Sequence, residues 1–174
     1  MSKYIYHGKP EPMIGNTLMP LNKMSSRLDE IRKLHLSKYQ GREEILQREV
    51  PLLDCLWNDV LQFLPFHPRK VFELQIELGL IPEMPHYSFY EIDAETLDQT
   101  KLAVFFKTAP GEDNTETKWF QNVDFQSLQH VPEATVAYYK TFIGTGELPF
   151  NYQFIPHVMY RGKVDILQAG IVTL

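Results

Sequence analysis

The sequence predicts a single mixed α+β domain, and three observations lead to it. Runs rich in aromatic and β-branched residues, such as Tyr87–Ile92 and Leu102–Lys107, alternate with stretches whose apolar residues recur at helical spacing. Proline and glycine punctuate the chain between them, and nothing repeats at a fixed period. A length of 174 residues suits one hydrophobic core, reading residues 1–174 as one domain.

In chain order, Tyr4-Ile5-Tyr6 predicts a short strand ending at His7-Gly8, and Pro10, Pro12, Gly15 and Pro20 mark the loop that follows. Ser26 and Asp29 can form a capping box, and Leu28, Ile31 and Leu34 then predict a helix to about Leu36. A second, charged helical piece spans Gly41–Val50 and stops before Pro51, because a residue preceding proline is pushed out of the helical region. Leu61–Phe66 reads as a strand. Pro68 then opens a helix over Arg69–Leu78, with Val71, Leu74 and Leu78 on one face and Gly79 beyond its end. Tyr87–Ile92 and Leu102–Lys107 are strands separated by a turn or short helix at Asp93–Leu97, and the polar run 108–118 is a loop by composition. Helical segments follow at Phe125–Leu128 and Pro132–Phe142. Beyond Gly144-Thr145-Gly146, strands are predicted at Asn151–Ile155 and Lys163–Gln168.

Composition excludes several function classes. The single Cys55 cannot form an internal disulfide, and the N-terminal MSKYIYHGKPEP has no apolar stretch of a secretory signal, so a cytoplasmic location is expected. No apolar run approaches the ~18 residues of a membrane helix, and no membrane role is expected. A net charge of −5 argues against bulk electrostatic coating of nucleic acid. The charge is unevenly placed. Residues 21–50 hold seven basic residues (Lys23, Arg27, Arg32, Lys33, Lys38, Arg42 and Arg48) against five acids, which leaves −7 for the remainder. That stretch is either a local basic surface or a helix face of i,i+4 pairs.

The motifs of several enzyme classes are missing. The six histidines (His7, His35, His67, His86, His130 and His157) form no HExxH pair, and one cysteine builds no thiolate zinc site, so no metal is expected. There is no G-x-S-x-G elbow and no P-loop, and Gly144-x-Gly146 lacks the other glycines of a dinucleotide fingerprint. Tyr6-His7-Gly8 at a strand end is more informative, since an imidazole beside a glycine offers a ribose hydroxyl both a side-chain partner and an exposed backbone. Taken alone it more readily describes a turn.

Read in succession, Tyr6-His7-Gly8, the charged stretch bearing Arg42, Asp59-Val-Leu-Gln-Phe63-Leu-Pro-Phe66-His-Pro68-Arg69, Ser88-Phe-Tyr-Glu-Ile92, Val104-Phe-Phe106 and the segment from Glu112 to Trp119-Phe120-Gln-Asn122-Val-Asp124-Phe form an ordered set. This set resembles the DarT family, nucleic-acid ADP-ribosyltransferases of toxin–antitoxin and phage-defence systems, from Tyr4 to about Val164. In that family a first-strand histidine, an arginine-bearing helix and a glutamate ahead of a final strand pair occur in this order. Here Gly144-Thr-Gly146-Glu147 stands where the family usually shows Q-A-E, and His7-Gly8 stands in place of His-x-Thr.

The resemblance implies an ADP-ribosyltransferase-like fold with a central mixed or antiparallel sheet flanked by helices, and NAD as co-substrate. Breaking the ribose–nicotinamide bond develops positive charge on the ribose, by analogy with glycoside hydrolysis, and a fixed carboxylate is needed there. Glu147 takes that role and Arg42 that of the helix arginine that binds phosphate or orients the acceptor. His7 and Gly8 would meet the ribose, and Asn16 would hydrogen-bond the cofactor. The implied acceptor is a base in single-stranded DNA, contacted through residues 21–50, with a macrodomain antitoxin as a further partner. The alternatives are an inactive NAD- or ADP-ribose-binding module and a transferase acting on RNA or protein. Phe63, Phe66 and Trp57 are read as core residues, and Trp119-Phe120 as either packing or a stacking platform.

Overall fold

The computed structural model describes residues 2–25, 28–41, 43–111 and 114–174, with the backbone alone at Lys38. Helices and antiparallel sheets combine in an α+β arrangement, and every strand pairing among the described residues is antiparallel. The first strand, β1 (Tyr4–Gly8), lies beside β6 (Ser88–Asp93), whose other edge carries β11 (Gly170–Thr173). A second sheet runs in the order β5 (Leu61–Phe63), β9 (His157–Tyr160), β7 (Leu102–Lys107) and β8 (Thr115–Trp119). The two sheets meet where Tyr6 N–H donates to the Leu64 carbonyl at 2.9 Å and Leu64 N–H returns a bond to the Tyr6 carbonyl at 2.8 Å. β1 is thereby placed between β6 and β5. Two small ladders complete the set: β2 (Thr17–Leu18) with β10 (Val164–Asp165), and β3 (Glu49–Val50) with β4 (Cys55–Leu56).

Among the described residues there are three α-helices. α1 (Asp29–Leu36) starts with Asp29 and Glu30 in its first turn, where carboxylates favour the positive end of the helix dipole. The Ser26 half of its expected capping box lies outside the described residues. α2 (Arg69–Glu77) begins after Pro68 and closes with a Schellman arrangement, Leu80 N–H to the Gln75 carbonyl and Gly79 N–H to the Ile76 carbonyl, both at 2.9 Å. Gly79 sits at φ +70°, a left-handed conformation that glycine adopts without a Cβ penalty. α3 (Glu133–Lys140) follows Pro132 within the predicted segment. Among the described residues no helix is long and apolar enough to cross a membrane.

Alternation along the strands sorts the core into layers. Leu61, Phe63, Val104, Val158 and Tyr160 face one cluster together with Ile5 and Ile92, whereas Ala103, Phe105 and Met159 face another that includes Val50, Leu53 and Trp57. A third cluster under α2 and α3 holds Phe66, Phe72, Tyr139 and Ile155. Phe63 and Phe66 are 1% and 0% exposed, and Trp57 is buried, so all three are core residues. Phe120 is also buried, and Trp119 is partly buried against the Trp57 cluster, so both take part in packing.

Four expectations need correction. Asn151–Ile155 is not a strand but a turn in which Phe154 has φ 62°. Its backbone polar groups find helix side chains instead of a sheet neighbour, and the strand lies beyond Pro156 as β9. The expected loop 108–118 ends early, because Thr115–Trp119 pairs with β7; as a wet edge strand it carries polar residues that read as loop. Within Gly41–Val50, a 3-10 turn occupies Glu43–Gln47 and Glu49–Val50 turns back onto β4 through left-handed Leu52 and Asp54. In Lys163–Gln168 only Val164–Asp165 is strand, since Asp165 Oδ1 accepts the Leu167 N–H at 2.9 Å and bends the chain.

Candidate functional site

The end of β1 carries His7 to the mouth of a cavity of about 200 Å³. Its walls are mostly apolar, with Met13, Leu18 and Met24 from the segment after β1 and Ile31 from α1, while His7, Asn58 and Gln62 supply polar groups. His7 is fixed in this position. Its Nδ1 lies 2.7 Å from the Gln62 carbonyl, and a carbonyl only accepts, so Nδ1 carries a proton and donates. The ring also lies tilted against Phe63, with centroids 5.3 Å apart. The β1–β5 junction thus sets the orientation of His7 and places a proton on its Nδ1.

A second, larger cavity of about 640 Å³ shares Tyr39 and Gln62 with the first, so the two form neighbouring parts of one cleft. The larger part is lined by Arg48, Trp57, Phe105 and Lys107 on one side and by residues 150–155 on another. Arg48 lies over the Trp57 ring at 5.3 Å, and Trp57 meets Phe105 edge to face at 5.2 Å.

The wall at 150–155 is unusually well anchored for an irregular segment. Gln75 Nε2 donates to Asn151 Oδ1 at 3.0 Å, Thr135 Oγ1 donates to the Gln153 carbonyl at 2.9 Å, and the Tyr139 hydroxyl donates to the Asn151 carbonyl. Phe150 N–H in turn donates to the Tyr138 hydroxyl at 3.2 Å. Gln75, Thr135 and Tyr139 are at most 2% exposed, so the core of α2 and α3 directs polar groups at this turn. Burial pushes the Tyr139 hydroxyl up to about 12, and it remains a neutral donor at physiological pH. Burial likewise lowers the pKa of His157, which lines the cleft from β9; its Nδ1–H donates to the Ile155 carbonyl at 2.7 Å.

The predicted site residues are distributed unevenly over this cleft. His7 lines it. Gly8 follows at the end of β1, where an added Cβ would meet Phe89 at 3.9 Å, an ordinary contact, so local space does not require glycine there. Asn16 is exposed and lines neither cavity; its carbonyl accepts the Ile166 N–H at 2.9 Å and extends the β2–β10 ladder. Glu147 is exposed in the turn after α3, with its N–H directed to Thr145 Oγ1 at 3.1 Å. It lines neither cavity, although Phe150, three residues on, lines the larger one. Arg42 lies outside the described residues.

Sequence reasoning missed Tyr39, Gln62 and the 150–155 wall, and it counted Arg48 only as part of a basic stretch. The available signal was Pro149 and Pro156 bracketing the wall, which confines regular pairing to the segment beyond it. No family model matches the chain, and no curated protein or solved structure matches it.

Proposed function

We propose that the cleft binds NAD and that the protein transfers ADP-ribose to a base of single-stranded nucleic acid, DNA in the first instance. The observation that carries this reading is His7, held by the Gln62 carbonyl at 2.7 Å and lining a cavity at the end of the first strand. An imidazole held in place by a backbone carbonyl beside an apolar cavity is suited to hydrogen-bond a ribose hydroxyl. The DarT-like order of motifs and the α+β arrangement with antiparallel sheets support an ADP-ribosyltransferase-like fold. Glu147 is the assigned carboxylate for the cationic ribose, and Arg42 the assigned phosphate- or acceptor-binding arginine. Such a protein would act in the cytoplasm, in a toxin–antitoxin or phage-defence setting, with a macrodomain protein as antitoxin.

Labelled NAD incubated with single-stranded oligonucleotides tests the reading, with nicotinamide release and label on the DNA followed for the native protein and for Glu147→Ala and His7→Ala. Transfer to DNA that both substitutions abolish is the expected result. NAD consumption unaffected by Glu147→Ala would overturn the assignment of Glu147, and label on RNA or protein would redirect the acceptor.

A second reading, a module that binds NAD or ADP-ribose without turnover, is favoured by one observation: Glu147 is exposed and lines neither part of the cleft. Calorimetric binding of NAD without nicotinamide release identifies it.

A further inference from the structure

The larger part of the cleft combines cations with aromatic rings in a way the first part does not. Arg48 and Lys107 both line it, and among the described residues neither lies within 4.0 Å of a carboxylate; the ion pairs found there are Lys3–Glu95, Lys101–Asp98 and Lys118–Glu116. Glu44 also lines this cavity, beyond ion-pair distance of both cations. In a chain with 22 acidic residues against 17 basic ones, two cations directed at one cavity without a paired carboxylate leave a site for an anion.

Arg48 is also ordered in advance. Its guanidinium lies over the buried Trp57, which is itself held edge to face by Phe105. Stacking occupies the face of a guanidinium and leaves its planar edge of N–H donors for a second partner, and phosphate oxygens match that edge. Phe150, Tyr152 and Phe154, which line the same cavity, belong to the segment that α2 and α3 anchor. Phe154 at φ 62° is a non-glycine residue in the left-handed region, a strain of the kind that surrounding structure maintains at ligand sites. A volume of about 640 Å³ is within the range of small-molecule sites.

We infer that this cavity takes a nucleoside diphosphate, with Arg48 and Lys107 on the diphosphate and the aromatic rings of the 150–154 wall against the base. The inference deepens the NAD reading, on which it rests for the identity of the ligand: the adenosine diphosphate half of NAD occupies the larger cavity while His7 meets the other ribose.

Calorimetry with ADP, NAD, nicotinamide mononucleotide and inorganic pyrophosphate tests it on the native protein and on Arg48→Gln, Arg48→Lys and Lys107→Gln, each checked for native circular dichroism. Lys107 ends a strand and among the described residues has no cation–π contact, so Lys107→Gln serves if Arg48→Gln unfolds. ADP is expected to bind more tightly than pyrophosphate, and each glutamine substitution is expected to weaken ADP about tenfold, the value of one charge-assisted hydrogen bond. Arg48→Lys is expected to recover part of that loss. ADP affinity unchanged by both glutamine substitutions, or no ADP binding, would overturn the inference. ADP binding that depends on Arg48 and Lys107 without any NAD binding would uphold the site and refute the NAD reading. NAD binding indifferent to both residues would do the reverse.

Discussion

The two parts of the cleft are built differently. The 150–155 wall has little regular structure, yet buried Gln75, Thr135 and Tyr139 tie it to α2 and α3. α1, which lines the smaller cavity, is a regular helix, yet it has no buried residue and leaves Leu34 55% exposed. Regular hydrogen bonding and firm attachment are therefore separate properties. A buried polar group must be paired, so each helix side chain aimed at the wall carries a penalty for letting go, whereas α1 presents the partly buried Ile31 to the smaller cavity.

Substitutions can break this contrast. Tyr139→Ala removes a fully buried ring together with its hydrogen bond to the wall and should destabilise the protein by about 3–5 kcal/mol, read from urea unfolding. Thr135→Val keeps the shape but leaves the Gln153 carbonyl without its donor, and a loss of about 1–3 kcal/mol with faster amide exchange at 151–155 is expected. If that exchange is unchanged, the wall is not held by the helices. In α1, Leu34→Ala should change stability by no more than about 0.5 kcal/mol, as for exposed positions generally. A loss of several kcal/mol there would mean that α1 is as firmly built in as the wall.

The smallest expected effect is a pH dependence. Burial lowers the pKa of His157 in the folded protein below its ordinary value of 6.5, so the unfolded chain binds more protons once the pH drops below that value. The contribution of His157 is therefore fully present above pH 6.5 and is lost as the pH falls toward the lowered folded value. Comparing His157→Gln with the native protein by thermal unfolding across this range should show a shallower acid decline in the variant. An identical decline would assign the effect to other groups.

What the sequence made legible follows the same division. α2 was readable because Pro68, the apolar spacing of Val71, Leu74 and Leu78, and Gly79 all act locally. β6 and β7 were readable because their aromatic and β-branched residues pack on both sides of the sheets. The wall was not, because Asn151–Ile155 has strand-like composition, and its conformation depends on donors that lie 12 to 76 residues away in the chain. β8 was hidden for the opposite reason: an edge strand needs only its backbone to pair, so polar side chains such as Glu116 and Lys118 conceal it. At the site, His7 was identified by its place at the end of β1. Gln62 was not, since its contribution is a backbone carbonyl, which no side-chain pattern announces.

The junction at Tyr6 and Leu64 has a consequence for how the chain is made. As residues emerge from the ribosome in order, β1 can engage Leu64 early, but its ladder partner β6 arrives only with Ser88–Asp93, and β5 and β7 lack their shared neighbour until His157–Tyr160 has been synthesised. Pairings so distant along the chain close slowly, because the entropy of each intervening loop is lost before the contact is gained. The facing edges of β5 and β7 stay open until β9 is made, and β9 is the strand whose arrival joins them into one sheet.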